Sequence, residues 1–89
     1  MHDINHFYES IILDSLKLDL ESYELLKDTV RDACGETDID FNESVFQDLL
    51  IEMVKSGKVV PCLYDQSKKH WQKGNFKLQE LSMYWFKLN

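Results

Sequence analysis

No apolar run in this chain of 89 residues approaches the roughly 18–20 residues that a membrane-spanning helix needs. The opening stretch, MHDINHFYES, is acidic and lacks the basic and apolar regions of a secretory signal. Cysteine is scarce: Cys34 falls in a helix-end context and Cys62 in a strand context, and there are no others. Two cysteines in a chain without a leader read most simply as buried, reduced thiols, with a disulfide between them as the alternative. Together these absences set the expected compartment as the cytoplasm, with no membrane partner. Catalytic groupings are missing as well. Nothing supplies a nucleophile with its base and orienting group, a phosphate loop or a facing pair of carboxylates, so the reading is of a chain that is not an enzyme and needs no cofactor. His2 and His6 stand four residues apart beside Asp3, but a third well-placed ligand is lacking and no metal site is expected. Internal repeats and low-complexity segments are absent too, which leaves residues 1–89 as a single domain with one modest core.

What is present belongs to a folded chain. Hydrophobic residues make up 44% and aromatics 12%, which excludes disordered and fibrous classes. The net charge of −6 is unevenly spread. Residues 1–57 set four cations, Lys17, Lys27, Arg31 and Lys55, against fourteen acids, a balance of −10. Residues 58–89 set six lysines against Asp65 and Glu80, a balance of +4. An acidic helical half and a basic C-terminal half generate opposed surface fields.

Around Asn42 to Tyr64 the pattern is clearest. Val45, Phe46, Leu49, Leu50, Met53 and Val54 recur in adjacent pairs every four residues, one apolar stripe along a helix over about 43–56. Gly57 follows as a C-terminal stop, since glycine takes the left-handed conformation without steric cost. Asn42 competes with Asp40, which has Glu43 at capping-box spacing, as the helix N-cap. Lys58 to Tyr64 is extended and β-branched; Pro61 cannot donate a ladder bond, so this strand is expected at an edge or with its proline nitrogen outward. Upstream, Ile4, Phe7, Tyr8, Ile11, Ile12 and Leu16 predict a helix over about 4–15, capped by Asp3 or Asn5. Leu16 to Leu20 alternates and reads as an extended connection or a very short strand. Tyr23, Leu26, Val30 and Ala33, flanked by Leu25 and Cys34, predict a second helix over about 21–34, opened at Asp19 or Ser22 and stopped by Gly35. Ile39 and Phe41 are expected to tuck into the core. Asp65 to Asn75 is polar, with Gly74-Asn75 as the reversal, and residues 80–88 form the returning strand. The expected class is α+β, a three-helix bundle followed by a two-stranded antiparallel hairpin with strands at about 58–64 and 80–88.

The run Leu49-Leu50-Ile-Glu-Met-Val-Lys-Ser-Gly57-Lys-Val-Val60, with the closing Tyr84-Trp-Phe-Lys-Leu88, resembles the winged helix-turn-helix superfamily of bacterial proteins over roughly residues 20–88. The resemblance implies a scaffold that binds DNA, RNA or protein, with the hairpin as its wing. The eight-residue link from Gly35 to Asn42 is longer than the tight turn of a compact helix-turn-helix.

Two surfaces present themselves. The outward side of the third helix, Glu43, Ser44, Gln47, Asp48, Glu52 and Lys55, carries three carboxylates and no arginine, which argues against groove reading. The acids of the helical half, foremost Asp28, Asp32, Glu36, Asp38 and Asp40, suit docking to a basic protein, as in an inhibitor, an immunity-type protein or an adaptor; solubilising charge is the plainer alternative. The cluster lacks the alternating ligands of a calcium loop. The wing tip carries Lys68, Lys69, His70, Trp71, Lys73 and Lys77, an aromatic inside a basic run, which is the alternative site, for nucleic acid. Its plainer alternative is a solvated turn with Trp71 folded back beneath the hairpin. Self-association, acidic half to basic wing, is compatible with both, and exposure of Tyr84, Trp85 or Phe86 would favour a homodimer or a partner groove.

Overall fold

A computed structural model describes residues 4–74 and 76–89. The fold is α+β. In chain order, these residues form α1 (Ile4–Ser15), β1 (Glu21–Ser22), α2 (Tyr23–Glu36), α3 (Glu43–Lys55), β2 (Val59–Asp65), β3 (His70–Lys73), a 3-10 helix (Leu78–Met83) and β4 (Trp85–Leu88). The strands make one antiparallel sheet in the order β1-β4-β2-β3.

Each α-helix turns its apolar stripe to a shared core. Tyr8 and Ile12 from α1, Tyr23, Leu26, Val30 and Cys34 from α2, and Phe46, Leu50 and Met53 from α3 are buried together with Val59 and Phe86 of the sheet. Ile39 and Phe41 pack against that cluster as the link enters α3. On α2 the buried flank is Cys34, while Ala33 is half-buried and Leu25 is exposed. α1 already contains Asn5, and its other candidate cap, Asp3, lies outside the described residues.

Caps decide the helix ends. Ser22 accepts the Leu25 amide at 3.2 Å, whereas Asp19 bonds only the neighbouring Leu20 amide. Asn42 caps α3 by accepting the Val45 amide at 3.1 Å. Asn42→Ala therefore lowers unfolding free energy by about 1 kcal/mol in a denaturant titration, while Asp40→Ala leaves it nearly unchanged. The reverse order of effects would move the cap to Asp40. Gly57 takes φ +81° just after α3, as a left-handed stop requires. Gly35 does not stop α2. The helix runs one residue past it; Thr37 back-bonds its hydroxyl to Ala33 O at 2.9 Å, and the Ile39 amide closes on Cys34 O at 2.9 Å. The left-handed residue is Asp38, at φ 57°, a position aspartate tolerates better than most side chains.

The sheet corrects the expected two-stranded hairpin. β2 does pair with β4, with Pro61 opposite Phe86 and Cys62 opposite Trp85. It also pairs on its other side with β3, an added strand whose register sets Tyr64 opposite Trp71. The chain reverses at Gln66–Lys69 rather than at Gly74-Asn75, where Asn75 lies outside the described residues. The reason is Asp65, whose carboxylate accepts from the Ser67 amide and hydroxyl at 2.9 and 2.7 Å, from the Lys68 amide at 3.2 Å and from Gln72. These bonds, the Ser67 hydroxyl foremost, hold its pKa below the usual carboxylate range. Gly74 serves a different need: a Cβ there would meet the Tyr84 ring at 3.0 Å.

Nor is residues 80–88 one long strand. Leu78–Met83 is a pair of 3-10 turns kinked at Glu80 that buries Leu81, and β4 spans only Trp85–Leu88. Leu81 and Tyr84 are three apart, a helical spacing, and strict alternation begins only at Tyr84. Between Leu16 and Asp19 the connection is a turn, and the short strand, β1, follows at Glu21–Ser22, paired with β4. Pro61 sits on an inner strand. Asn89 N bonds Lys58 O, so by antiparallel alternation Val60 and Cys62 bond toward β4, and the proline nitrogen faces the β3 side opposite Gly74, just past the end of β3. Gly74 N donates to Pro61 O at 2.9 Å, so the proline forgoes only the reciprocal bond to Gly74 O.

Candidate functional site

The acidic residues all reach solvent. Asp28, Asp32 and Glu36 follow one another at four-residue spacing along α2, and Asp38 and Asp40 continue past its C-terminus. Asp28 pairs with Arg31 at 3.5 Å, and the Arg31 guanidinium also lies 5.6 Å from the Phe41 ring centre. Farther up the helix, Lys27 pairs with Glu24 at 3.0 Å, and this hydrogen bond raises the lysine's pKa. Among the described residues, Asp32, Glu36, Asp38 and Asp40 enter no ion pair, and the last turn of α2 holds no basic residue. Glu36 and Asp38 thus sit at the negative end of the α2 dipole, where cations are the stabilising charge, with Asp32 one turn earlier and Asp40 in the link two residues before the α3 cap. Sequence alone identified these residues; the pairing that removes Asp28 from the uncompensated group required the helix.

The basic run from Lys68 to Lys77 is not one surface. Lys68 and Lys69 occupy the turn, Lys69 at φ 56°. His70 pairs with Asp65 and, by strand alternation, points to the opposite face from Trp71 and Lys73. Lys77 lies at the entry to the 3-10 helix, where its amide donates to the Tyr84 hydroxyl at 3.0 Å. All six side chains of the run are exposed, but only Trp71 and Lys73 share a sheet face.

That face is the one turned away from the helices. Val59 and Phe86 belong to the core, so alternation puts Val60, Cys62 and Tyr64 of β2, and Trp85 and Lys87 of β4, on the outer side. Cys62 is buried yet lies outside the helix-facing core. Three rings run across this side: Tyr64 and Trp71 have centres 5.2 Å apart at 65°, and Trp71 and Trp85 are 5.1 Å apart at 47°. Tyr64 is 46% exposed and Trp71 37%. Lys73 and Lys87 flank the row, and the outer-face positions of β2, β3 and β4 contain no carboxylate. Burial raises the Cys62 thiol pKa, and the nearby Lys87 charge partly opposes it. Sequence reading singled out Trp71 and Lys73 for the wing and named Trp85 only as a possible dimer contact; Tyr64 and Lys87 it did not single out. Only the long-range pairing of β2 with β4 brings them together.

Elsewhere the structure offers less chemistry. A cleft of about 300 Å³ beside Val54, Val60, Pro61, Phe76 and Asn89 has Lys73 as its one charged wall. Among the described residues no group of three histidines, cysteines or acids is placed to hold a metal ion, and His2 with Asp3 lies outside them. Cys34 and Cys62 are both free and buried. No helix of the described residues is long and apolar enough to cross a membrane. Tyr84 and Phe86 are buried and Trp85 is half-buried, so the closing strand presents no broad apolar dimer face. Comparison with protein-family models, curated proteins and solved structures gives no match.

Proposed function

We propose that this chain is a non-catalytic interaction module on a winged-helix-like scaffold. It docks a basic protein through the acidic end of its helical layer, in the manner of an inhibitor, an immunity-type protein or an adaptor. Connectivity supports the scaffold: a helix, a short strand, two helices, then a hairpin whose returning strand, β4, lies between β1 and β2. The docking reading is carried by Asp32, Glu36, Asp38 and Asp40, which enter no ion pair along the end of α2 and the link that follows it, with Glu36 and Asp38 at the negative end of the helix. A fold selected for stability alone is better served by cations at that position. A basic partner converts the repulsion into attraction and accelerates encounter. The two buried free thiols suit a reducing compartment such as the cytoplasm.

Poly-L-lysine is the probe for this face. Neutralising Asp32, Glu36, Asp38 and Asp40 together weakens its binding about tenfold more than neutralising Asp14, Asp19, Asp48 and Glu52, a change of equal net charge. The first variant also melts at a higher temperature than the native chain, because repulsion at the helix end is relieved. Equal losses in the two variants would assign the binding to net charge and remove the face. Sizing of the free protein, run alongside, separates a basic partner from self-association.

A further inference from the structure

The outer face of the sheet has no role in docking through α2, and its composition is unlike the rest of the molecule. Trp71 touches both Tyr64 and Trp85, the first two rings exposed and Trp85 half-buried; two lysines lie beside them, and no carboxylate shares the face of β2, β3 and β4. We infer that this face is a stacking platform for single-stranded nucleic acid, with Trp71, Tyr64 and Trp85 receiving bases and Lys73 and Lys87 the backbone phosphates.

The geometry selects this ligand over the other chemistry that aromatic clusters serve. A cage for a quaternary ammonium needs rings set apart around a slot, so that the cation sits over several faces. Here the centres are 5.1 and 5.2 Å apart, the separation of rings touching one another, which leaves no slot. Lysines beside the row repel a cation and attract a polyanion. Bases stack on aromatic side chains whatever their sequence, and a basic track along the backbone completes such sites.

A duplex fits less well. Its bases are already stacked on one another, and rings tilted at 65° and 47° to one another on a sheet offer no projection that enters a groove. The wing-tip lysines, Lys68 and Lys69, lie at the end of the hairpin rather than on the platform, and His70 faces the opposite side. The excess negative charge of the chain resides in residues 1–57, chiefly on the helical layer. At physiological salt, screening acts over about 8 Å, so distant exposed carboxylates have little effect at the outer face.

The platform stands independently of the acidic end of α2, and its test uses the full chain with a fluorescein-labelled oligothymidylate of about twelve nucleotides. Saturable binding is expected, with quenching of tryptophan fluorescence and preference over a duplex of the same length. Trp71→Ala weakens binding about tenfold, and Trp71→Phe restores most of it, since stacking needs a ring rather than an indole. Lys73→Gln with Lys87→Gln reduces the dependence of log affinity on log salt by about 1.4, roughly 0.7 for each phosphate contact to a single strand. That pair lies on exposed positions and keeps the test open if Trp71→Ala alters the hairpin. The proposal is overturned by no saturable binding at low salt, or by equal binding of duplex. It is also overturned if Lys68→Gln with Lys69→Gln abolishes binding while Trp71→Ala leaves it intact, which would move the contact to the hairpin tip.

Discussion

Leu50→Asp abolishes the cooperative melt of this domain. Leu50 is fully buried at the middle of α3, within the cluster that joins all three α-helices to Val59 and Phe86. The substitution removes a large apolar side chain and puts a carboxylate where no partner awaits it; buried polar side-chain nitrogens and oxygens without a bond are absent among the described residues. An isolated buried ion costs several kcal/mol even after relaxation, and loss of the leucine adds about 2–5 kcal/mol. Small domains are stable by only about 5–15 kcal/mol, and a chain of this length belongs near the lower end. The two penalties together exceed that reserve. Circular dichroism of the mutant is expected to show no cooperative transition, and its proton spectrum no dispersed methyl signals. Leu49→Asp, one position around the helix and half-buried, retains a melt at reduced temperature. A native-like melt for Leu50→Asp, or equal loss at the two positions, would place the apolar stripe of α3 in a different register.

The stripe was legible because α3 is self-contained: six apolar residues at helical spacing, an asparagine before them and a glycine after them, all within sixteen positions from Asn42 to Gly57. α1 and its core residues Tyr8 and Ile12 were legible for the same reason. What the sequence concealed depends on contacts between distant segments. β1 is two residues long and exists only because β4 lies alongside it. β3 hides in a polar run that reads as loop; pairing with β2, fixed by the Asp65 turn, makes it a strand. The 3-10 helix was masked by the β-forming aromatics that follow it, and the end of α2 by an aspartate in the position usually held by glycine.

The candidate surfaces divide along the same line. The acidic end of α2 is a local run and was visible. The aromatic row was half-visible, since Trp71 stood out inside a basic stretch. The remainder required two facts absent from any local window, that alternation sends His70 away from Trp71 and that Trp85 returns beside it through β4. A charge run in sequence therefore overstated how many lysines share a surface, and understated how many rings do.

Tyr8 provides the second large effect, because it fastens α1 to the entry of α3. Its ring is fully buried and lies against Phe41, centres 6.0 Å apart at 22°, and its hydroxyl accepts the Asn42 amide at 3.1 Å. Asn42 is the residue whose side chain caps α3, so the phenol positions the cap while the cap orders the helix. Tyr8→Ala opens a cavity the size of the ring and costs about 3–5 kcal/mol. Tyr8→Phe keeps the ring but deprives a part-buried amide of its acceptor, at about 1–2 kcal/mol. At about 4–8 °C of melting temperature per kcal/mol in a domain of this size, calorimetry separates the two readily. The pair also differs at alkaline pH. Burial, opposed in part by the Asn42 amide, raises the Tyr8 pKa above 10.0, so the folded chain keeps the phenol neutral after the unfolded chain has begun to ionise it. That contribution to stability is complete below about pH 10 and is lost as pH rises through the folded value. Tyr8→Phe has no such proton, so the stability gap between it and the native chain narrows above about pH 10. A gap that stayed constant through that range would mean that the phenol is ionised equally in both states, the Asn42 amide offsetting the burial in full.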